Sequence, residues 1–445
     1  MRRNSPGISK GVDYSIVGLY LLLVSIGILA VYAVTYKEGD PIISTFFSFK
    51  TDYSKQFYFF LLSGVIAIFI LLTDSKFFPA TANVWYAIGI VLLLLVFPFH
   101  SNVKGTESII RFGGFQFQPA EFCKVCVCLA LAKYLSTVNL DFSKTRSQLI
   151  AAAIAISPAL ITIAQKETGL ALVYFSFFLV MYREGLPATI LIIAFSVVGL
   201  VVASIVMDPL ILGILLAVIF IVAAFIMSGR TRRRSSGIAK IIFILILCEL
   251  MPLVVVPFVF KNIMQPHQTE RIYDLFGKEN PYSKDAQAGI APTTASGDKE
   301  DNYNVKQSKI AIGSGRILGK GLLKSTQTRY DFVPEQRTDF IFCTIGEGFG
   351  FMGTSILLLI YIVLLFRIVA VAERQRSVFS RCYAYGVASV IFFHITINVC
   401  MTIGLAPVIG IPLPFISYGG TALLTFTILL FIMIRLDADR QMVLR

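Results

Sequence analysis

The chain is built of long apolar blocks separated by short polar segments. Twelve blocks stand out, at about 14–34, 55–73, 82–99, 118–136, 147–165, 168–182, 188–207, 209–227, 238–260, 339–366, 377–403 and 415–434. Most approach the roughly 20 apolar residues that a helix needs to cross a bilayer. The pattern predicts an all-α polytopic membrane protein of about twelve spans. The block at 168–182 is short for a span, and the pair flanking Asp208 and Pro209 also reads as one bent element.

Charge orients the blocks. With the N-terminus on the cytoplasmic side, the inner segments carry clusters such as Arg230, Arg232, Arg233 and Arg234, or Arg367, Arg374 and Arg376, while 404–414 carries no cation. This is the positive-inside pattern. It places both termini in the cytoplasm and the polar segment 261–338 outside. Three regions follow: an N-terminal transmembrane region over 1–260, a large extracytoplasmic loop over 261–338, and a C-terminal transmembrane region over 339–445. The middle of the loop, around 281–300, has no helical or strand period and reads as a flexible insertion.

Composition narrows the class. Of 445 residues, 56% are hydrophobic and 15% charged, which excludes a disordered chain and a conventional soluble enzyme. The net charge of +13 belongs to the cytoplasmic loops rather than to nucleic-acid binding, since no basic stretch is interleaved with exposed aromatics. All seven cysteines lie in apolar blocks, so no disulfide framework is expected. Cys123, Cys126 and Cys128 do not share a helix face and read as small buried hydrophobes.

Charges inside apolar blocks are informative, because each is costly in lipid unless paired or facing a watery cavity. Glu121 and Lys124, three residues apart, are spaced to pair on one helix face, either as a structural ion pair or as the polar wall of a substrate cavity. Gln165–Gly169 breaks two apolar runs, as a tight turn or as exposed helix ends that bind something. Glu249, His394 and Asn398 read as internal hydrogen-bonding groups. Arg111, in an aromatic outer loop, either holds a phosphate or sits at headgroup level.

The densest signal is QSKIAIGSGRILGKGLLKSTQTRYDFVPEQRTDFIFCTIGEGFGFMG over 307–353. Lys309, Arg316, Lys320, Lys324, Arg329 and Arg337 crowd it. GSGRILGKG lacks the spacing of a nucleotide-binding loop. Thr338 is expected to cap a helix whose first residue is Asp339. Asp339 is then either a dipole-favourable acid or a general base at a cavity mouth.

QSKIAIGSG, GKG, TQT, FVPEQRTDFIF and GEGFGFMG, together with FQFQPAEFCK, ETGLALVY and GIPLPFISYGG, resemble the SEDS (RodA/FtsW) family, and QSKIAIGSG with TQT lies nearer its RodA branch. The resemblance covers nearly the whole chain. It implies a bundle of ten core helices, to which 209–260 adds an extra hairpin. It also implies a peptidoglycan glycosyltransferase that polymerises lipid II for cell elongation, beside a class B penicillin-binding protein. The family's essential aspartate falls on Asp339. Substrate contacts are implied for Arg111, Glu121, Lys124, Glu167, Lys309, Lys320, Glu335 and Arg337. No metal-ligand cluster occurs, although a divalent cation, Mg or Mn, on the diphosphate stays open.

Departures from the family pattern are Arg337 for the usual His, Ile109 for Trp, Glu167 for Asp and Gly348 for the second Glu of Gly-Glu-Glu. Two other readings compete. A lipid II flippase or other transporter would use Asp339 to bind rather than react, and a non-catalytic scaffold would tolerate its loss.

Overall fold

The computed structural model describes residues 11–36, 45–99, 101–103, 106–112, 115–138, 140–226, 235–262, 269, 272–273, 278, 281 and 300–440. The basic cluster at 230–234, expected on the cytoplasmic side, and the interior of the 281–300 insertion lie outside these residues. The chain divides into two compact units, Met1–Leu186 with Asn304–Arg445, and Pro187–Tyr303.

The first unit holds helices α1 (Tyr14–Thr35), α2 (Asp52–Leu72) and α3 (Phe77–Phe99), strands β1 (Ser101–Val103), β2 (Thr106–Phe112) and β3 (Phe115–Phe117), then α4 (Pro119–Leu135), α5 (Thr145–Ala164), α6 (Thr168–Tyr174) and α7 (Phe177–Arg183). The second holds α8 (Ala188–Val206), α9 (Pro209–Ile226), α10 (Ser235–Leu250), a π-helical turn over Met251–Val255, and α11 (Val256–Asn262). Helix α12 (Glu300–Ser314) leads back into the first unit, which closes with α13 (Ile341–Glu373), α14 (Val378–Thr402) and α15 (Gly420–Ala438). Among the described residues, nine helices are long and apolar enough to cross a membrane.

Several expectations meet the structure directly. The segments flanking Asp208 form two helices, because the Asp208 side chain accepts the Leu210 amide at 3.0 Å and caps α9. The segment before α4 is an antiparallel β1-β2-β3 meander rather than a plain loop, with Arg111 opposite Gln116. The β-branched and aromatic residues of TESIIRF favour that pairing. The loop after 300 is helical through Ser314. Burial sorts the first unit: α4 and α15 are enclosed on most sides, while α2 and α3 expose broad apolar faces suited to lipid.

The element that organises the end of the bundle carrying Asp339 is α13. At about 1.5 Å per residue its 33 residues are roughly 50 Å long, well beyond a hydrocarbon core of about 30 Å. It is not one helix. Gly350 interrupts it with φ 66° and ψ −161°, leaving a short first helix and a stretch of membrane-spanning length after it. The break exposes backbone groups that must find partners. The 315–321 segment supplies them. The Phe351 and Met352 amides donate to the Arg316 and Ile317 carbonyls at 2.8 and 3.0 Å. The Lys320 and Gly321 amides donate to the Glu347 and Gly348 carbonyls at 3.0 and 2.9 Å. Such contact needs bare backbone on both sides: a Cβ on Gly315 would lie 2.0 Å from the Gly346 carbonyl oxygen, and one on Gly319 2.2 Å from that of Gly348. The glycines of GSGRILGKG therefore mate with those of GEGFG.

The opposite end of the bundle is tied by charge. Asp13, which caps α1, accepts hydrogen bonds from Arg367 and Arg374, and Arg374 also pairs with Asp437 of α15. Burial alone would raise the Asp13 carboxyl, but the two arginines prevail and hold it below the usual range.

The break makes a direct prediction. Gly350→Ala places a Cβ 2.4 Å from the Gly319 nitrogen on a left-handed backbone, whereas Gly64, within α2, has nothing within 4 Å of such an atom. Gly350→Ala should cost about 1–3 kcal/mol and visibly lower the unfolding temperature in detergent. Gly64→Ala should leave it unchanged or raise it.

Candidate active site

Asp339 lies just before α13 rather than within it. The cap is Phe340, with φ −101° and ψ 20°, and the helix starts at Ile341. The expected Thr338 cap is displaced because Glu335 takes a left-handed conformation, φ 60°, and turns the chain back on itself. Its carbonyl accepts the Thr338 and Phe340 amides at 3.0 and 3.2 Å, which closes a tight turn around Asp339.

That turn rests on the 403–419 segment between α14 and α15. Ser417 Oγ donates to the Thr338 carbonyl at 2.6 Å, and the Tyr418 amide donates to the Arg337 carbonyl at 2.8 Å. Asn398 Nδ2 donates to the Asp339 carbonyl at 2.8 Å and to the Ile411 carbonyl at 2.7 Å. Gln56 of α2 holds Ser417 and Gly419 from the other side. Asn398 of α14 thus fixes the Asp339 backbone directly, and the 403–419 segment, itself gripped by Gln56 of α2, holds the two residues before it, while the Asp339 side chain is only partly buried. Beneath the carboxylate lies Gly410, where a Cβ would come within 3.3 Å of Asp339 Oδ2.

The same segment reaches Glu167. Gly169 packs so close to Ile409 that a Cβ would meet the Ile409 carbonyl oxygen at 2.3 Å. Glu167 caps the start of α6 after Lys166, whose φ is 63°, and accepts a hydrogen bond from Ser108 of β2 at 2.7 Å. The Gln165–Gly169 break is therefore a tight turn that also carries a carboxylate to the strands.

Below, Glu121 and Lys124 pair at 2.7 Å with both side chains at or below 1% exposure. Lys124 Nζ also donates to His394 Nε2 at 2.7 Å. An ammonium has no acceptor, so Nε2 must be bare and Nδ1 protonated. Nδ1–H then donates to the Pro412 carbonyl at 3.1 Å. A buried charge relay runs from α4 through α14 to the segment under Asp339. Glu121 Oε1 has no protein partner.

The remaining candidates divide. Arg337 bonds Asp52 at 2.6 Å and approaches Asp331 at 3.5 Å. The Tyr418 hydroxyl joins this group; burial first, then the Asp52 carboxylate, push it up to about 12 against the opposing Arg337. Lys309, on α12, packs against Gly404, where a Cβ would fall 2.3 Å from its Nζ. Lys320 is committed to Glu347 of α13 at 2.8 Å. Arg111 is exposed on β2.

The family model described as cell cycle protein, FtsW/RodA/SpoVE, matches residues 14–218 and 212–442. The chain belongs to this family. Similar members include the peptidoglycan glycosyltransferase MrdB of Escherichia coli K12, 29% identical over 85% of this chain and 83% of that protein. The peptidoglycan glycosyltransferase RodA of Treponema pallidum is 28% identical over 93% and 94%. In the solved structures, a chain of a peptidoglycan synthase complex has a TM-score of 0.65 at 22% identity, covering 96% of this chain and 98% of that one. The RodA crystal structure from Thermus thermophilus has a TM-score of 0.57 at 20% identity, covering 96% and 97%. At these identities the structures establish the shared fold, including the helical bundle.

Sequence reasoning on this FtsW/RodA/SpoVE member missed Glu347, Asn398 as a support of Asp339, Ser417 and Gln56. Their signal was weak: single polar residues in apolar surroundings, each with a backbone partner far along the chain. Glu347 is fully buried and accepts six hydrogen bonds, from Lys320 Nζ, the Thr326, Gln327 and Thr328 amides, and the Thr326 and Thr328 hydroxyls, at 2.8–3.3 Å.

The buried pair yields a prediction. Lys124→Met strands Glu121 and should destabilise the protein by about 3–5 kcal/mol, while Glu121→Gln/Lys124→Met should recover much of that loss. Thermal unfolding in detergent checks it. Equal destabilisation in both variants would show that the pair contributes no uncompensated charge.

Proposed function

We infer that this chain is a membrane-embedded peptidoglycan glycosyltransferase that polymerises lipid II on the outer face of the cytoplasmic membrane, with both termini in the cytoplasm. The family and the names of its similar members support the reaction class. The observation that carries the residue assignment is the placement of Asp339. Its turn is held by Asn398 of α14 and by the 403–419 segment while its side chain stays partly exposed above Gly410.

In this reading Asp339 is the general base. It takes the proton from the acceptor sugar's hydroxyl as that oxygen attacks the anomeric carbon of the growing chain. The new C–O bond forms as the bond to the undecaprenyl diphosphate breaks, and its electron pair leaves on the diphosphate. That leaving group needs cations more than a proton. Lys309 and Arg111 are the cations assigned to it, with Arg337 shaping the turn through Asp52. Glu121, Lys124 and Glu167 form the polar floor, Lys320 braces the loop through Glu347, and Glu335 supplies the bend. Among the described residues no three His, Cys, Asp or Glu side chains gather as metal ligands, so a divalent ion would take its ligands chiefly from the diphosphate. The partner that crosslinks the strands is assigned as a class B penicillin-binding protein.

The test is lipid II polymerisation by purified protein with its transpeptidase, wild type beside Asp339→Asn. The variant should stay folded, bind lipid II and lose at least about 10²-fold in rate. Equal rates would remove Asp339 from the mechanism. Lipid II movement across liposomes without glycan strands from wild type would favour a transporter.

A further inference from the structure

The second unit carries one acid that no step above uses. Glu249 lies near the end of α10, inside the apolar span Phe243–Asn262, whose only other charge is Lys261. At about 1.5 Å per residue, Lys261 is about 18 Å further along the span and out of reach. Among the described residues Glu249 makes no hydrogen bond and no ion pair, so the internal hydrogen bonding expected of it is not formed.

The carboxylate lies on the face that α10 shares with α9. Gly213 leaves room for it there, since a Cβ at that position would come 3.2 Å from Glu249 Oε2. Glu249 itself is half-buried, and its surroundings are apolar and open. Leu210, one turn before Gly213, is 78% exposed, and Ile246 and Leu253, one turn to either side of Glu249, are 59% and 58% exposed. The helix also changes pitch at this point. Pro252 has no amide to give the Cys248 carbonyl, and Met251–Val255 forms a π-helical turn. Such turns recur where a helix serves a site.

An acid without a partner is costly within a membrane, and its protonated form still has a donor and an acceptor to satisfy. The charge complement of this face is a cation held at the same depth, and another membrane helix is what can bring one there. A second copy of this chain has none to offer from its own interior. Lys124 and Arg435, the buried cations among the described residues, are engaged by Glu121 and Asp439. We propose that the α9–α10 face docks a membrane-spanning helix of another protein, one that carries a lysine or arginine paired with Glu249. The assignment does not rest on the polymerase reading, because it needs only the lone acid and the open apolar face around it.

Full-length protein is reconstituted in phosphatidylcholine liposomes with a labelled probe, and association is read by energy transfer. The probe is a leucine–alanine membrane-spanning peptide with one lysine about four residues inside one end, the depth of Gly213 in α9. Control peptides carry alanine or glutamate at that position. The lysine peptide should associate about tenfold more tightly than the alanine peptide, and Glu249→Gln, shown to be folded by its thermal transition, should erase that difference. Glu249→Lys should shift the preference to the glutamate peptide. Equal association of the lysine and alanine peptides with wild type, or an undiminished lysine preference in Glu249→Gln, overturns the proposal. Self-association of wild type that Glu249→Gln abolishes, with no lysine preference, also overturns it and makes a second copy the occupant.

Discussion

A single buried carboxylate, Glu347, holds the loop before Asp339 in register. It sits in the short first helix of a broken element, and the loop that leads to Asp339 hangs from it by six hydrogen bonds. A buried carboxylate without partners would be very costly. With them it becomes an anchor that fixes three consecutive amides and a lysine at once. The break at Gly350 and the mated glycines provide the second half of the constraint, since they let the loop backbone satisfy the helix backbone directly. The turn carrying Asp339 follows from both: it leaves the pinned loop at one end and enters the broken helix at the other.

Beneath it, the polar groups of the membrane interior converge on the same place. The Glu121–Lys124–His394 relay ends on the Pro412 carbonyl, and Asn398 spans Ile411 and Asp339. Such groups are retained in an apolar bundle only where they pair with one another or serve a site. Here they pair, and the segment they grip is the floor of the carboxylate. The GIPLPFISYGG stretch is thus a cradle whose carbonyls are held by side chains from α2, α13 and α14.

Much of this was legible before the structure. The apolar blocks gave the helices, because burial in lipid demands length and composition that the chain displays openly. The Glu121–Lys124 spacing gave the ion pair, because three residues on a helix bring side chains together. The family resemblance gave the reaction class and singled out Asp339 as the residue to test. Other features were hidden for physical reasons. Glycines in GSGRILGKG could be read only as lacking the spacing of a nucleotide-binding loop; they contact glycines some 30 positions later, and no local period reports that. The strands at 101–117 are short and aromatic-rich, and their pairing exists only against each other. Thr338 looked like a cap because its chemistry suits one, yet the left-handed Glu335 moved the cap to Phe340. Arg337 looked like a substrate cation, and only the fold brings Asp52 to it from 285 residues away.

The account stands on the claim that the Glu347 anchor presents Asp339 for chemistry. The most direct measurement is lipid II polymerisation by Glu347→Gln, in protein shown to be folded by its thermal transition and by its binding of lipid II. Glutamine keeps the shape but removes the charge and one acceptor oxygen, so the loop should loosen and the turnover rate should fall at least about tenfold with lipid II still bound. Turnover equal to wild type would contradict the claim and leave Asp339 positioned by α14 and the 403–419 segment alone.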